Sequence, residues 1–106
     1  DRHIVMRPGT ALTYNVPAGF GLFTAVIDTS SAIDYCDRVS FRFIVRNDSG
    51  ETLLRSDVFR SRRSPELVTV PLHSARSIQI LVDDAGDGAE CDQGTWYSPA
   101  FAKIGF

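Results

Sequence analysis

The residues best placed to do chemistry are five carboxylates within ten positions of one glycine-containing stretch: Asp83, Asp84, Asp87, Glu90 and Asp92. Such a density of negative charge repels itself unless a cation or hydrogen-bond donors compensate it. Calcium suits this composition, because it takes about six to eight oxygen ligands from carboxylates, carbonyls and water. Gly86 and Gly88 allow backbone turns that aim carbonyl oxygens inward.

Two interpretations of this acidic loop (residues 83–94) stay open. In the first, Asp84, Asp87 and Asp92 hold a structural calcium ion, although the spacing is not that of an EF-hand. In the second, the loop is a solvated turn whose aspartates cap nearby backbone N–H groups. Calcium is therefore the cofactor that the sequence predicts, with the solvated turn as its alternative.

Two aromatic residues, Trp96 and Tyr97, follow the acidic loop directly. An exposed ring beside polar loops can stack on the apolar face of a sugar, while Asp, Gln and Arg side chains bind the hydroxyls. For Trp96 the alternative is that it begins a strand and packs in the core, where its bulk would close one end of a sandwich. Tyr97 would then lie on the opposite face of that strand as the more exposed ring.

Nucleophilic catalysis is a poor fit to this sequence. His3 lies near a terminus that we expect to fray, and His73 follows a strand as a surface turn residue; neither has a Ser, Cys or Asp arranged as a partner. The clustered carboxylates resemble an acid–base pair for glycoside hydrolysis, but a domain this small leaves little room for a deep cleft. We predict that the domain is not an enzyme and keep a small carboxylate-based hydrolase as a third hypothesis.

Two cysteines, Cys36 and Cys91, lie in polar, turn-rich stretches rather than in the apolar runs where a buried thiol is usual. A disulfide between them would contribute roughly 3–4 kcal/mol in the chain-entropy model. It would also indicate an oxidising compartment, so we expect an exported, secreted protein. No apolar run is long enough to predict a membrane span.

Apolar and polar residues alternate with a period of two along much of the chain, which is typical of half-buried strands. This alternation covers 12–16, 41–45, 68–72 and 78–82. The stretch 20–27 is apolar on both faces and predicts a central, covered strand.

Further elements complete the sandwich. Residues 53–54 predict a short strand and 101–106 a closing strand, with turns at 17–19 and 47–50. About seven or eight short strands predict an all-β, antiparallel β-sandwich or jelly roll. We expect one domain over residues 1–106.

The charge pattern does not favour a nucleic-acid partner. The chain has 11 Lys and Arg against 13 Asp and Glu, a formal net charge of −2, whereas phosphate-driven binding needs a basic face. The one basic cluster is Arg60-Ser61-Arg62-Arg63. We expect a solvated loop there, with a contact to an anionic sugar or phosphate as the alternative.

The chain resembles a known family around its acidic loop. Ile80-Leu81-Val82-Asp83-Asp84-Ala85-Gly86-Asp87-Gly88 and then Cys91-Asp92-Gln93-Gly94-Thr95-Trp96 are similar to the strand, Asp-x-Gly-Asp-Gly loop and Asp-His-x-Asp-Trp motif of the NPCBM modules, which are grouped with carbohydrate-binding module family 51. A weaker similarity covers Met6-Arg7-Pro8, which is similar to a Met-His-Pro motif with Arg7 in place of the His. Gln93 stands where the family commonly has His, and Thr95 where it has Asp.

The resemblance implies a sandwich of the galactose-binding jelly-roll type, shorter at its N-terminus than the family, which has a further strand region there. It implies non-catalytic binding of galactose-containing glycans, in a module often attached to a glycoside hydrolase. The residues that would line a shallow sugar site are Arg7, Asp92, Gln93, Trp96 and Tyr97. Because Gln93 and Thr95 depart from the motif, the second hypothesis is a structural or protein-interaction domain that has lost sugar binding.

Overall fold

The computed structural model describes residues 2–29, 40–60, 64–84 and 93–104. Within these ranges it forms eight strands: β1 (His3–Met6), β2 (Ala11–Asn15), β3 (Leu22–Thr29), β4 (Arg42–Asn47), β5 (Thr52–Arg55), β6 (Glu66–Pro71), β7 (Ser77–Asp83) and β8 (Gly94–Ala102). No helix is found among the described residues, so none there is long and apolar enough to cross a membrane.

The strands form two four-stranded sheets. Sheet A has the order β1-β8-β3-β6 and sheet B the order β2-β7-β4-β5. All pairs in both sheets are antiparallel. Because side chains alternate across a strand, each sheet turns one row of apolar residues inward, as the alternating burial along β3 and β7 shows. The all-β sandwich prediction is confirmed.

An aromatic cluster fills the core between the sheets. The Trp96 ring lies edge-on to Phe43 at 5.0 Å and to Phe23 at 6.2 Å between ring centroids. Phe41 and Phe59 stack at 5.4 Å beside them. All five rings are fully or almost fully buried, and such edge-to-face pairs add about 0.5–1.5 kcal/mol each beyond the burial of their area.

The turns formed as their residue types predict. Between β4 and β5, the side-chain oxygen of Asn47 accepts hydrogen bonds from the backbone N–H groups of Ser49 and Glu51. Gly50 takes a φ of 82° there, a conformation that glycine adopts without strain. The turn at 17–19 likewise closes through a hydrogen bond from Phe20 N–H to the Pro17 carbonyl.

Two predictions about the chain ends were wrong. Of the predicted closing strand 101–106, residues 101–102 are the end of β8, which begins at Gly94 and lies between β1 and β3, residues 103–104 follow it outside any strand, and residues 105–106 lie outside the described ranges. His3 does not lie in a frayed terminus, because it begins β1 and pairs with Tyr97 of β8. In both cases the ladder hydrogen bonds of β8 determine which residues belong to a strand.

Candidate functional site

An ion pair between Arg42 and Asp83 lies at the end of β7, where the acidic loop begins. The guanidinium of Arg42 on β4 donates two hydrogen bonds to the Asp83 carboxylate, at 3.1 and 3.0 Å. These hydrogen bonds, and then the negative charges of Asp83 and Asp84, raise the pKa of Arg42 above its usual value, so Arg42 stays charged at physiological pH. This bidentate pair offsets one carboxylate of the acidic loop and holds the end of β7 against β4.

The predicted calcium ligands are only partly within the described chain. Asp84 is half-buried just after β7, whereas Asp87 and Asp92 lie outside the described residues. Among the residues that the structure describes, no three His, Cys, Asp or Glu side chains are grouped to hold a metal ion. The calcium site therefore stays a prediction. So does the disulfide, because Cys36 and Cys91 also lie outside the described ranges, as do residues 61–63 of the basic cluster.

The remaining candidate residues lie along the two strands at one edge of sheet A. In the antiparallel β1–β8 ladder, His3 is opposite Tyr97, Val5 is opposite Thr95, and Met6 is opposite Gly94. Both Arg7 and Gln93 lie at the same end of this ladder, one residue beyond the last pair: Arg7 follows Met6, and Gln93 precedes Gly94. We call the following residues the β1–β8 strip: His3, Val5, Arg7, Gln93, Thr95 and Tyr97.

The strip faces away from the core. Met6 and Trp96 point inward and are buried, so their alternating neighbours Val5 and Tyr97 lie on the outer face. Val5 is 51% exposed and Tyr97 is 38% exposed, whereas Thr95 is buried between them. The prediction that Tyr97 is the more exposed ring is confirmed.

The Tyr97 ring has an aromatic neighbour that the sequence did not reveal. The rings of His3 and Tyr97 lie 5.9 Å apart between centroids and are tilted by 35° to each other. Sequence reasoning missed His3 because it treated the terminus as frayed. The alternation of exposed His3 and Val5 with Ile4 and Met6 was the signal that could have found β1.

Trp96 is not a sugar-stacking residue. Its ring is 0% exposed and packs against Phe23 and Phe43, so it has no free face for a ligand. The prediction that placed Trp96 in the sugar site is corrected, and the alternative, a core residue near the start of β8, holds. A ring of this size on the inward face is stable there because it exchanges contact with water for packing against Phe23 of β3 and Phe43 of β4.

The structure thus brings Arg7 and Gln93 together and places Tyr97 further along the same face. Tyr97 comes four positions after Gln93, which corresponds to about 13 Å at the usual rise per residue. The strip therefore combines polar groups at one end with two rings at the other. Such a surface suits an elongated polar ligand with apolar faces better than a small, enclosed one.

The fold is thus a two-sheet antiparallel sandwich, and the outer face of sheet A carries the strip of polar and aromatic residues. The chain belongs to the NPCBM/NEW2 domain family, whose model matches residues 2–102. No curated protein matches the chain significantly.

Solved structures have the same fold. The chain is similar to the CBM51-2 and INT domains of Clostridium perfringens ZmpB, with a TM-score of 0.83 and 23% identity over 96% of this chain and 22% of that one. A second structure from the same protein holds CBM51-2 in complex with GlcNAc, together with the INT domains. It matches with a TM-score of 0.82 and 23% identity over 96% of this chain and 22% of that one. The CBM51 of C. perfringens GH95 in complex with methyl-galactose matches with a TM-score of 0.79 and 18% identity over 96% of this chain and 70% of that one.

These likenesses confirm the fold class, a β-sandwich of the carbohydrate-binding module family 51 type. The present chain spans about a fifth of the length of the ZmpB chains that it matches.

Proposed function

We propose that this chain is a non-catalytic module that binds galactose-type glycans through the β1–β8 strip, as part of a secreted protein. The observation that carries the proposal is the exposed Tyr97 ring beside His3, on the same outer face as Val5 and in line with Arg7 and Gln93. Family membership and the sugar complexes of two structural neighbours support a glycan as the ligand. Attachment to a larger extracellular protein is proposed on the same likeness.

The chemistry of the strip suits a sugar. The apolar C–H face of a galactose ring can lie on the exposed Tyr97 ring, while the Arg7 guanidinium and the Gln93 amide hydrogen-bond its hydroxyls. The sugar would stay partly solvated on such an open surface, so its affinity comes from few contacts. We therefore expect a weak affinity for the sugar, with the Tyr97 ring as the main contributor to the binding free energy.

Tyr97→Ala is expected to weaken binding of methyl-galactoside roughly tenfold or more, because it removes the exposed ring on which the sugar stacks. Isothermal titration calorimetry of the variant and the unchanged protein measures this effect. Because Tyr97 is only half covered, the variant should keep its fold, and a circular-dichroism melt checks that it does.

Leu67→Ala is the matched control for this experiment. Leu67 on β6 is 69% exposed and lies in the same cross-strand row as Tyr97, with Val26 of β3 between them. Loss of this apolar side chain should leave sugar affinity unchanged. Equal losses in both variants, or no galactoside binding by the unchanged protein at millimolar sugar, would contradict the strip as a galactose site.

One observation favours the second hypothesis, a protein-interaction domain. The row formed by Tyr97, Val26 and Leu67 crosses most of the outer face of sheet A, and its two ends are exposed apolar groups. A partner protein that covered this row would be displaced by Leu67→Asp but not by excess galactoside. If galactoside binding is lost in Tyr97→Ala and kept in Leu67→Asp, the face is assigned to glycans.

We further propose that the acidic loop holds a structural calcium ion through Asp84, Asp87 and Asp92. Chelation with EDTA should then lower the melting midpoint by about 10 °C in a sample that contained calcium at 100 times its Kd, since such a ligand stabilises the fold by about 2.7 kcal/mol. Differential scanning calorimetry with EDTA and then with excess calcium measures the shift and its reversal.

The control for calcium is a carboxylate outside the acidic loop. Asp84→Asn should remove most of the EDTA effect, whereas Asp57→Asn, at an exposed position after β5, should preserve it. A midpoint that EDTA and calcium leave unchanged would show that the loop is the solvated turn of the alternative interpretation.

A further inference from the structure

A cavity of about 820 Å³ lies at the end of the sandwich opposite the acidic loop. The chain segment from Val16 to Gly21, which connects β2 to β3, forms one side, and residues 73–76, which connect β6 to β7, form the other. Ile104, after the end of β8, completes the wall. We call this space the Phe20 cavity, and none of the predicted sugar-site residues within the described ranges lines it.

One cation, Arg76, lines the Phe20 cavity together with the imidazole of His73. Among the residues that the structure describes, no carboxylate lines it. The Lys103 ammonium lies 5.6 Å from the centroid of the Phe20 ring, at the same end of the molecule. The nearby Asp48 carboxylate accepts a hydrogen bond from the backbone N–H of Arg76 at 3.3 Å. Among these described groups, two cations stand against one carboxylate, so this end of a chain with a net charge of −2 favours an anionic ligand.

The turn that carries His73 and precedes Arg76 has a backbone conformation that is costly for residues other than glycine. His73 and Ser74 have φ values of 49° and 65°, the left-handed region that glycine or asparagine usually occupies. The turn is closed by a hydrogen bond from Ala75 N–H to the Leu72 carbonyl, and Leu72 N–H donates to the Gly21 carbonyl next to the β3–β6 ladder. Glycines at these two positions would adopt the same backbone conformation but would bring no side chain to the cavity. With His73 there, an imidazole stands at its rim. Such strain is concentrated at binding sites in many proteins.

The remaining wall is apolar. Phe20 is half-buried, and Ile104 lies so close to Gly21 that a Cβ there would be 2.8 Å from the Ile104 Cδ1. A ligand that fits must therefore have an apolar face for the Phe20 ring and a negative charge for Arg76. A carboxylated sugar has both, since its C–H face can lie on an aromatic ring and its carboxylate can accept paired hydrogen bonds from a guanidinium.

We propose that the Phe20 cavity is a second glycan subsite, which takes a sugar ring that carries a carboxylate. The inference rests on the proposed function in that the ligand is a glycan, but it concerns a different end of the molecule. Neutral galactosides bind the β1–β8 strip, and acidic sugar residues bind the Phe20 cavity. A glycan chain with both kinds of sugar would be held at two places.

Galacturonate and galactose test the proposal as a matched pair, because they differ only in the carboxylate that replaces the C6 hydroxymethyl group. In a nuclear magnetic resonance titration of the ¹⁵N-labelled protein at low salt, galacturonate should shift the amide signals of residues 18–21 and 73–76. Galactose should shift those of Val5, Arg7, Gln93 and Tyr97 instead. Sodium acetate supplies the carboxylate without the ring and should leave both sets unchanged.

Arg76→Gln should raise the Kd for galacturonate at least tenfold, and His73→Asn should raise it severalfold while its left-handed backbone is preserved. Arg55→Gln removes one positive charge from an exposed position on β5, away from the cavity, and should change that Kd less than twofold. The spectrum of each free variant shows that it is folded.

Three results would overturn the subsite. Acetate that moves the cavity amides as galacturonate does would show a general anion effect. Equal weakening by Arg55→Gln and Arg76→Gln would show attraction to overall charge. Galacturonate that shifts only the strip amides would show that the cavity is not used, while the galactose site stands. Failure of galactose to bind the strip, with galacturonate at the cavity, would instead contradict only the proposed function.

Discussion

Gly94→Ala is expected to destabilise the domain by about 1–3 kcal/mol, the usual effect of overpacking a core. A Cβ at this position would lie 2.5 Å from Cζ of Phe43 and 3.1 Å from Cε2 of Phe41. Both rings are fully buried in the aromatic cluster, so neither can move aside without displacing Trp96 or Phe59. Thermal denaturation should show a midpoint lowered by on the order of 5–15 °C.

Gly94 also links stability to the strip. It is the first residue of β8 and pairs with Met6 on one side and Thr29 on the other. A shift of β8 at this point would move Gln93 relative to Arg7, so Gly94→Ala should weaken sugar binding even at temperatures where the variant is folded.

Gly21→Ala is the matched control for Gly94→Ala. A Cβ there would lie 2.8 Å from Cδ1 of Ile104, but Ile104 is 53% exposed and can rotate away. The same added methyl group should therefore cost less than about 0.5 kcal/mol, which is usual for surface changes. If the two variants melt at the same temperature, the close packing of Gly94 against the Phe43 ring is not what requires a glycine there.

Trp96→Ala is expected to cost about 3–5 kcal/mol, because it empties the centre of the aromatic cluster. If the stability of the domain is about 5 kcal/mol, the low end of the usual range, a loss of this size unfolds up to about half of the protein. Trp96→Phe should cost only about 1–2 kcal/mol. The indole N–H is buried and has no hydrogen-bond partner among the described residues, so the phenyl ring removes an unsatisfied donor while it leaves a smaller cavity.

Chemical denaturation of the two Trp96 variants measures these differences, with Tyr97→Phe as the control on the outer face. Trp96 is the chain's single tryptophan, so the fluorescence of the unchanged protein reports this ring alone. Its emission should be that of a buried indole and should not change when galactoside binds. A stable Trp96→Phe variant that no longer binds sugar would show that the indole touches the ligand after all.

Much of the fold could be predicted because it depends on local physical rules. Alternation of apolar and polar residues indicated the strands that became β2, β4, β6 and β7, since one buried face requires a period of two. Asn47 and Gly50 marked the β4–β5 hairpin, because the turn needs a side-chain acceptor and a left-handed residue. The resemblance around the acidic loop identified the family correctly.

Less of the candidate site could be predicted. From the chain alone, the bulk of Trp96 favours a core position and leaves Tyr97 as the more exposed ring, but both stay candidates for a sugar. Trp96 is buried on the inward face of β8, and Tyr97 is exposed on the outer face. Which of the two alternating sets of β8 residues faces inward depends on the pairing of β8 with β1 and β3. His3 could not be connected with Tyr97, because 94 positions separate them along the chain and only the antiparallel ladder brings them together.

The acidic loop shows the same division. The sequence by itself determined its composition, its position after a strand and its family, because these are properties of neighbouring residues. Only the tertiary structure decided that Asp83 is held by Arg42, which comes 41 positions earlier in the chain. It also decided that Arg7 stands next to Gln93 at the edge of sheet A, and that a cationic cavity lies at the opposite end. Such arrangements follow from strand order and register, which arise when distant apolar faces are buried together.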